Sequence, residues 1–420
     1  MRRARVLLAT LSLALMGTRA GSAQSLPSGP LELANGQVTV AADIAATIGA
    51  RDDAAPPECP RRCGAFFNYT DYEHNALRMF RVSFSGAWRP SRRLAFLTEI
   101  RSEDRERFRP YALYVRVRPW TTHAFDVQAG RIPPVFGAYS RHVYGPDNWL
   151  IGQPLAYQYL TSLRPSAIPA SADDLLVMRG RGWLARYPVG SPASGPGVPI
   201  ISAYQWDVGI EASVATKHID AAAAVTSGTL SNPRVDDDND GRQISARVGW
   251  KPVVGLVIGG SYAHGEWLNG ALRDSLSSVI HSGQRYPQEA FGLDAEYSRD
   301  YWLVRGEFIR SRWRLPALSS PFIHGPLDAT AAFVESRYRF TPRLFAAARL
   351  DGLRFSRISG EKVFSGVPTT WDAPVGRVEA GGGVYIQRNL TVRAVVQRNW
   401  RDGGFIHKRT FVSGQIAFWF

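Results

Sequence analysis

The chain has 420 residues, 45% of them hydrophobic, and a net charge of +14, with arginine supplying 46 of its 50 basic residues. After the first two dozen residues no stretch approaches the 18 consecutive apolar residues that a membrane-spanning helix needs, and mean hydropathy is only −0.17. These values exclude a helical membrane protein but not a lipid-spanning β-barrel, in which only alternate residues meet lipid.

The N-terminus reads as an export leader, residues 1–23: Arg2, Arg3 and Arg5 open it, Val6 to Met16 is apolar, and Gly21-Ser22-Ala23 offers small residues for cleavage, with Ala20 the alternative. Residues 24–36 read as a periplasmic lead-in, and 37–420 as one uninterrupted domain. Export makes nucleic acid an improbable partner despite the basic balance. A GC-rich coding sequence accounts for arginine over lysine as readily as any function does. Guanidinium, however, pairs with carboxylate or phosphate in a two-pronged way that ammonium cannot.

Period-two alternation begins at residue 37, where Val38, Val40, Ala42, Ile44, Ala46 and Ile48 alternate with smaller or polar residues. It recurs at Trp206–Val214, Ile244–Trp250 and Leu344–Leu350. Strands are expected at 37–50, 77–88, 93–103, 109–118, 124–131, 204–216, 219–227, 243–250, 255–264, 288–297, 301–313, 328–340, 343–353, 375–386, 390–399 and 408–420. That is about 16 strands, with 14 to 18 compatible, in an all-β transmembrane antiparallel barrel. Tight turns such as Arg89–Arg92, Lys217-His218 and Thr341-Pro342 alternate with long polar connections, the arrangement of outer-membrane barrels. Trp88, Trp120, Trp250, Tyr297 and Trp302 stand beside the tight turns, where amphipathic rings favour a membrane boundary. The last strand ends Phe418-Trp419-Phe420, similar to the C-terminal signal of bacterial outer-membrane proteins that is read by the barrel-assembly machinery.

Cys59 and Cys63, the only cysteines, suit a small disulfide ring in an oxidising compartment, and no neighbouring ligands complete a metal site. Asp236, Asp238 and Asp240 fall in an Asp-x-Asp-x-Asp-Gly stretch able to wrap Ca²⁺, but the twelfth position, where a bidentate Glu would close such a loop, is Arg247. No other cofactor is indicated.

The polar phase of the strands gives a pore-lining set: Arg81, Glu99, Arg101, Arg116, Arg118, Arg131, Glu211, Arg247, Arg305, Glu307, Arg337, Arg349, Arg377 and Arg393. Rings of charge in an aqueous barrel select ions, and the arginine excess leans towards anions. Paired Arg and Glu that only knit the wall together would give the same pattern. Residues 132–203 form the longest connection, expected to fold into the lumen as a constriction carrying Arg141, Tyr144, Asp147, Arg164, Asp173, Asp174, Arg179 and Arg181. An extracellular flap is the alternative.

Gly130-Arg131-Ile132-Pro133-Pro134-Val135-Phe136-Gly137 resembles the strand-to-loop step of the phosphate-selective porins O and P. The resemblance implies a homotrimeric channel for anions or small polar solutes, set among outer-membrane lipid and lipopolysaccharide. The lysine-lined phosphate conduit of that family has no counterpart among four lysines. No zinc-protease, nucleophile-elbow or phosphate-loop motif appears, so the expected function is a passive porin and not an enzyme. The alternative is a closed barrel acting as an adhesin, assembly protein or surface hydrolase.

Overall fold

The computed structural model describes residues 29–51, 80–103, 107–203, 206–276, 284–403 and 408–420. The leader, Cys59 and Cys63 lie outside the described residues.

Sixteen antiparallel strands close into one barrel. They are β1 (Val38–Arg51), β2 (Phe80–Trp88), β3 (Leu94–Glu103), β4 (Arg109–Val117), β5 (Ala124–Ile132), β6 (Asp207–Ala215), β7 (Ile219–Thr226), β8 (Gln243–Trp250), β9 (Leu256–Glu266), β10 (Pro287–Arg299), β11 (Trp302–Trp313), β12 (Leu327–Arg339), β13 (Leu344–Phe355), β14 (Val375–Gln387), β15 (Leu390–Arg401) and β16 (Lys408–Trp419). Each strand pairs with its sequence neighbours, and β1 closes the wall on β16 from Asp43↔Trp419 to Arg51↔Phe411. The expected count of 16 holds, with strand ends within a few residues of those read from alternation.

The closing strand stops short of the start of β1. Residues Leu31–Leu33 pair with Val38–Val40 through a turn whose Ala34, Asn35 and Gly36 all have positive φ, so the edge that Phe420 leaves open is covered. An uncovered strand edge invites pairing with another chain. Part of the expected lead-in therefore belongs to the wall.

Alternation follows the physics of the two faces. On β8, Gln243, Ser245 and Arg247 point inward and are buried, while Ile244, Val248 and Trp250 point outward at 58%, 53% and 53% exposure. Lipid is the solvent that makes such an apolar outer belt favourable, and only a closed barrel satisfies every backbone group within it. The chain is thus an outer-membrane barrel, with its short turns and both ends of the barrel on the periplasmic side. A bulge at Glu99/Ile100 opposite Pro110 lets both Tyr111 and Ala112 sit on the buried side of β4, and it fixes Tyr114, Arg116 and Arg118 inward.

Although its outer belt faces lipid, the molecule also has an apolar core inside the lumen, where the chain between β5 and β6 packs against residues of β9–β14 and their connections.

Candidate solute passage and constriction loop

The 133–206 connection leaves β5 through the Gly130–Gly137 segment, whose glycines have physical reasons. Gly130 has φ +126 against the backbone of Leu113 and Tyr114, and Gly137 has φ +68 where a Cβ would stand 2.2 Å from a Glu307 carboxylate oxygen. Neither position accepts a side chain without displacement. Between them Phe136 is fully buried.

From there the chain crosses the lumen and is held by the wall at every step. The Ala138 N–H donates to Glu307 at 3.0 Å. Arg305 donates to the Asp147 carbonyl at 3.1 Å and lies 3.9 Å above the Trp149 ring. The Gly145 N–H reaches Asp43 on β1 at 2.9 Å, and Arg81 on β2 donates to the Val143 carbonyl at 3.2 Å. The Tyr144 hydroxyl donates to Glu99 on β3 at 2.7 Å. Arg393 donates to the carbonyls of Gly145, Asn148 and Leu150, and the Gly152 N–H donates to Glu379 at 2.8 Å. The connection therefore enters the lumen and spans it.

Beyond Gly152 the loop becomes a plug. At the start of helix α1 (Leu155–Gln158) the Leu155 N–H donates to Asp351 at 2.7 Å, and the Tyr157 hydroxyl donates to Glu307 at 2.6 Å. Arg377 donates to the Gln153 carbonyl and to Gln158, each at 2.9 Å. Helix α2 (Ala172–Val177) starts with a capping box between Ser171 and Asp174. Leu163, Ile168, Leu175 and Ile200 pack against Trp267, Trp313, Phe355 and Trp371, so the extracellular half is closed by side chains on the β9–β14 side. Outside the strands, burial raises the Asp372 carboxyl above the ordinary range even though the Ala373, Gly180 and Ser162 N–H groups donate to it. Asp173 is held below that range by N–H bonds from Val363, Lys362 and Glu361.

Open space remains on the opposite side, towards the periplasm. One cavity of about 480 Å³ lies between the loop's start and the wall, lined by Arg118, Asp126, Gln128, Tyr144, Glu211 and Arg247 among others. A second, of about 200 Å³, lies against β1–β4, lined by Ser85, Glu99 and Tyr114. Trp206 borders both, its ring 5.1 Å from that of Tyr111.

No protein-family model and no curated protein matches the sequence. Solved structures do match. The outer-membrane protein OmpT of Vibrio cholerae aligns over 95% of this chain and 100% of its own, with a TM-score of 0.51 at 9% identity. An anion-selective porin from Comamonas acidovorans covers 91% and 100%, with a TM-score of 0.51 at 10% identity. Salmonella typhi OmpF covers 93% and 100%, with a TM-score of 0.51 at 11% identity. The fold is that of an outer-membrane porin. At these identities the likeness is one of fold alone, and the resemblance to the phosphate-selective porins O and P rests on the eight residues from Gly130 to Gly137.

Most of the charged residues read as pore lining point inward but face each other or the loop. Arg349 has no exposed surface, with its guanidinium 2.8 Å from Glu335 and 2.6 Å from Glu379. Arg305 shares Glu335 at 2.6 Å. Arg247 bridges Asp294 at 2.6 Å and Asp220 at 3.0 Å. Arg101 pairs with Glu99 at 2.8 Å, Arg81 with Asp43 at 3.2 Å, and Arg118 with Asp126 at 2.7 Å. Glu211 lines the larger cavity. Arg377 and Arg393 are spent on the loop, and Glu307 holds Tyr157 and Ala138. Arg116 and Arg337 are half-buried and have no carboxylate partner among the described residues; Arg337 lies 4.7 Å over Trp149.

Arg131 is a correction. It pairs across with Leu113 and Val208, on the outward phase, because Gln128 and Asp126 set the inward phase of β5. Its long side chain bends back to the carbonyls of Trp206 and Pro110 at the sheet's edge.

Within the loop, Tyr144 and Asp147 sit in the crossing segment, and Arg141 belongs to the turn Tyr139–His142. Arg164 clasps the plug to itself through the carbonyls of Ala185 and Ala193. Arg179 ties it to Thr370 and Asp402, and Arg181 is half-buried in the turn after α2. In the acidic stretch, Asp238 is taken by Arg234, Asp237 by Arg242 at 2.5 Å, and Asp240 faces Arg273 at 3.8 Å. Among the described residues no three acidic, His or Cys side chains come together as a metal cluster.

Asp43 and Asp372 were missed as site residues. Asp43 carried a signal, being the one acid in the polar phase of the first strand. Asp372 carried none, because its role comes from the plug residues that reach it across the barrel.

Proposed function

We propose that this protein is a porin through which small hydrophilic solutes diffuse along the β1–β8 side of the lumen, with residues 133–152 as the constriction. The observation that carries the reading is the division of the lumen, filled on one side and hollow and polar-lined on the other. Anion preference is part of the proposal, but its origin is the mouth. The periplasmic turns and the strand ends beside them carry Arg89, Arg92, Arg93, Lys217, Lys251, Arg299, Arg339, Arg343 and Arg388, against Asp300 and Asp220, the latter paired with Lys251 at 3.2 Å. A one-signed rim concentrates counter-ions and steers them inward. Inside, Arg116 and Arg337 continue that charge, whereas the ion-paired arginines add little net field. A homotrimeric assembly completes the proposal; OmpT of Vibrio cholerae has been solved in a trimer form.

The apolar plug favours a second reading, a closed barrel with a surface role. Single-channel recording in planar bilayers separates the two. Discrete conductance steps, with a reversal potential favouring chloride over potassium in a salt gradient, are expected of the porin. Silent membranes after verified insertion would leave the closed barrel.

A further inference from the structure

The outer wall has a break in its apolar belt that the channel reading does not use. On β13 and β14, Gly352 and Gly376 face each other across the ladder on the outward phase, and a Cβ built on either would meet nothing within 4 Å. Gly376 in turn pairs with Trp400 on β15, which is 42% exposed. The resulting open groove of about 600 Å³ is bounded by Arg354 above and by Trp400 and Asp402 at its side. Leu350 and Val378 continue below it on the same face, at 63% and 37% exposure.

Height in the membrane decides what can reach this groove. Arg354 and Trp400 each stand ten residues beyond the periplasmic starts of their strands, Leu344 and Leu390. At about 3.3 Å per residue and a tilt of about 40°, that places them roughly 25 Å up, at the top of the apolar band. The groove therefore opens sideways at headgroup level in the outer leaflet, with its floor dipping into hydrocarbon.

The chemistry is two-part. Arg354 is exposed and has no acidic partner among the described residues, since Asp402 is held by Arg179 at 3.1 Å. Arg398, on the outward face of β15, lies over the Trp400 ring, 6.0 Å from the centroid, and Arg310 lies across Thr330 from Arg354 on the same outward face. Arg310 is already balanced by Asp328 at 2.6 Å, which leaves Arg354 as the uncompensated charge. A cation above a bare apolar trough matches a lipid with an anionic phosphate at the interface and an acyl chain beneath it. Guanidinium binds phosphate oxygens in a bidentate fork, and two adjacent glycines leave room for one chain to lie against the backbone.

We propose that Arg354, Trp400 and the Gly352–Gly376 trough form a binding site for the phosphorylated, acylated glycolipid of the outer leaflet. The site uses no lumenal residue, so it stands or falls separately from conductance.

The test is native mass spectrometry of the detergent-purified full chain titrated with lipid A, dephosphorylated lipid A or phosphatidylglycerol. Wild type should hold a saturable lipid A adduct. Arg354→Glu should weaken it about five- to tenfold, in line with the worth of one basic residue near an anionic surface plus the added repulsion. Gly376→Leu, which fills the trough, should weaken it comparably while leaving heat-modifiable gel mobility unchanged. Wild type should bind dephosphorylated lipid A no better than Arg354→Glu binds the phosphorylated form. If Arg354→Glu fails to fold, Arg354→Gln replaces it. Undiminished adducts in the folded variants, or phosphatidylglycerol binding as tightly as lipid A, would overturn the proposal. So would Gly376→Leu breaking an oligomer without touching the adducts, which would make this face a contact between copies of the chain.

Discussion

Two sides of the same lumen, built by the same alternation, do opposite things. On β11–β15 the inward charges are sealed: Arg349, Arg305, Glu335 and Glu379 form a buried network, and the loop's backbone adds bonds to it, the Gly152 N–H donating to Glu379 and the Asp147 carbonyl accepting from Arg305. On β3–β8 the inward groups border cavities of about 480 and 200 Å³. An inward charge under the loop is therefore a joint alone, whereas on the other side even ion-paired groups such as Arg118 and Arg247 also face a cavity as candidate solute contacts. The difference lies in whether the loop lies over it.

The largest effect that would test this contrast is the removal of a joint. Arg349→Met leaves Glu335 and Glu379 enclosed without their shared cation, and should cost about 3–5 kcal/mol, as broken buried pairs do. Thermal unfolding in detergent should show the loss, and single channels should become noisier as the crossing segment loosens. Near-wild-type stability would mean that these ion pairs are solvated and the plug is not tight.

On the open side the same kind of change should act on ions and leave the fold alone. Arg116→Glu should alter stability by less than about 0.5 kcal/mol, as expected of a partly exposed residue without a partner. Its reversal potential in a salt gradient should move towards cations. An unchanged potential would place the solute path away from β4.

The smallest expected effect concerns the plug's outer latch. Asp173 accepts N–H bonds from Glu361, Lys362 and Val363, and its folded pKa is lowered by them. A lowered carboxylate pKa contributes stability that is fully present above the unfolded value of about 3.9 and is lost as pH falls through the folded value. Hydrogen exchange at those three amides, corrected for intrinsic rates, should accelerate only below about pH 4 in wild type. In Asp173→Asn the acid-induced step should vanish. Exchange independent of pH in wild type would show that the carboxylate does not hold the loop.

The barrel was legible because its signal is dense. Ile244, Val248 and Trp250 against Gln243, Ser245 and Arg247 repeat a pattern that lipid and backbone hydrogen bonding enforce on every strand. The loop's entry into the lumen was legible from its length and its arginines and aromatics. Arg131 was misread because its strand offers polar residues on both phases, Asp126 and Gln128 on one and Arg131 on the other. Only pairing with β4, past a bulge, decides between them. Arg349 was placed on the correct face, yet nothing near it in sequence shows that Glu335 and Glu379 flank it from two neighbouring strands.

What the sequence determined by itself was the medium and the wall: alternation with period two fixes which side chains meet lipid, and short turns against long connections fix which end faces the periplasm. What tertiary structure decided was the meaning of each inward residue. That depends on where 70-odd residues between β5 and β6 come to rest, since burying a charge under a loop forces it to find a partner, whereas leaving it beside a cavity keeps it available to whatever passes.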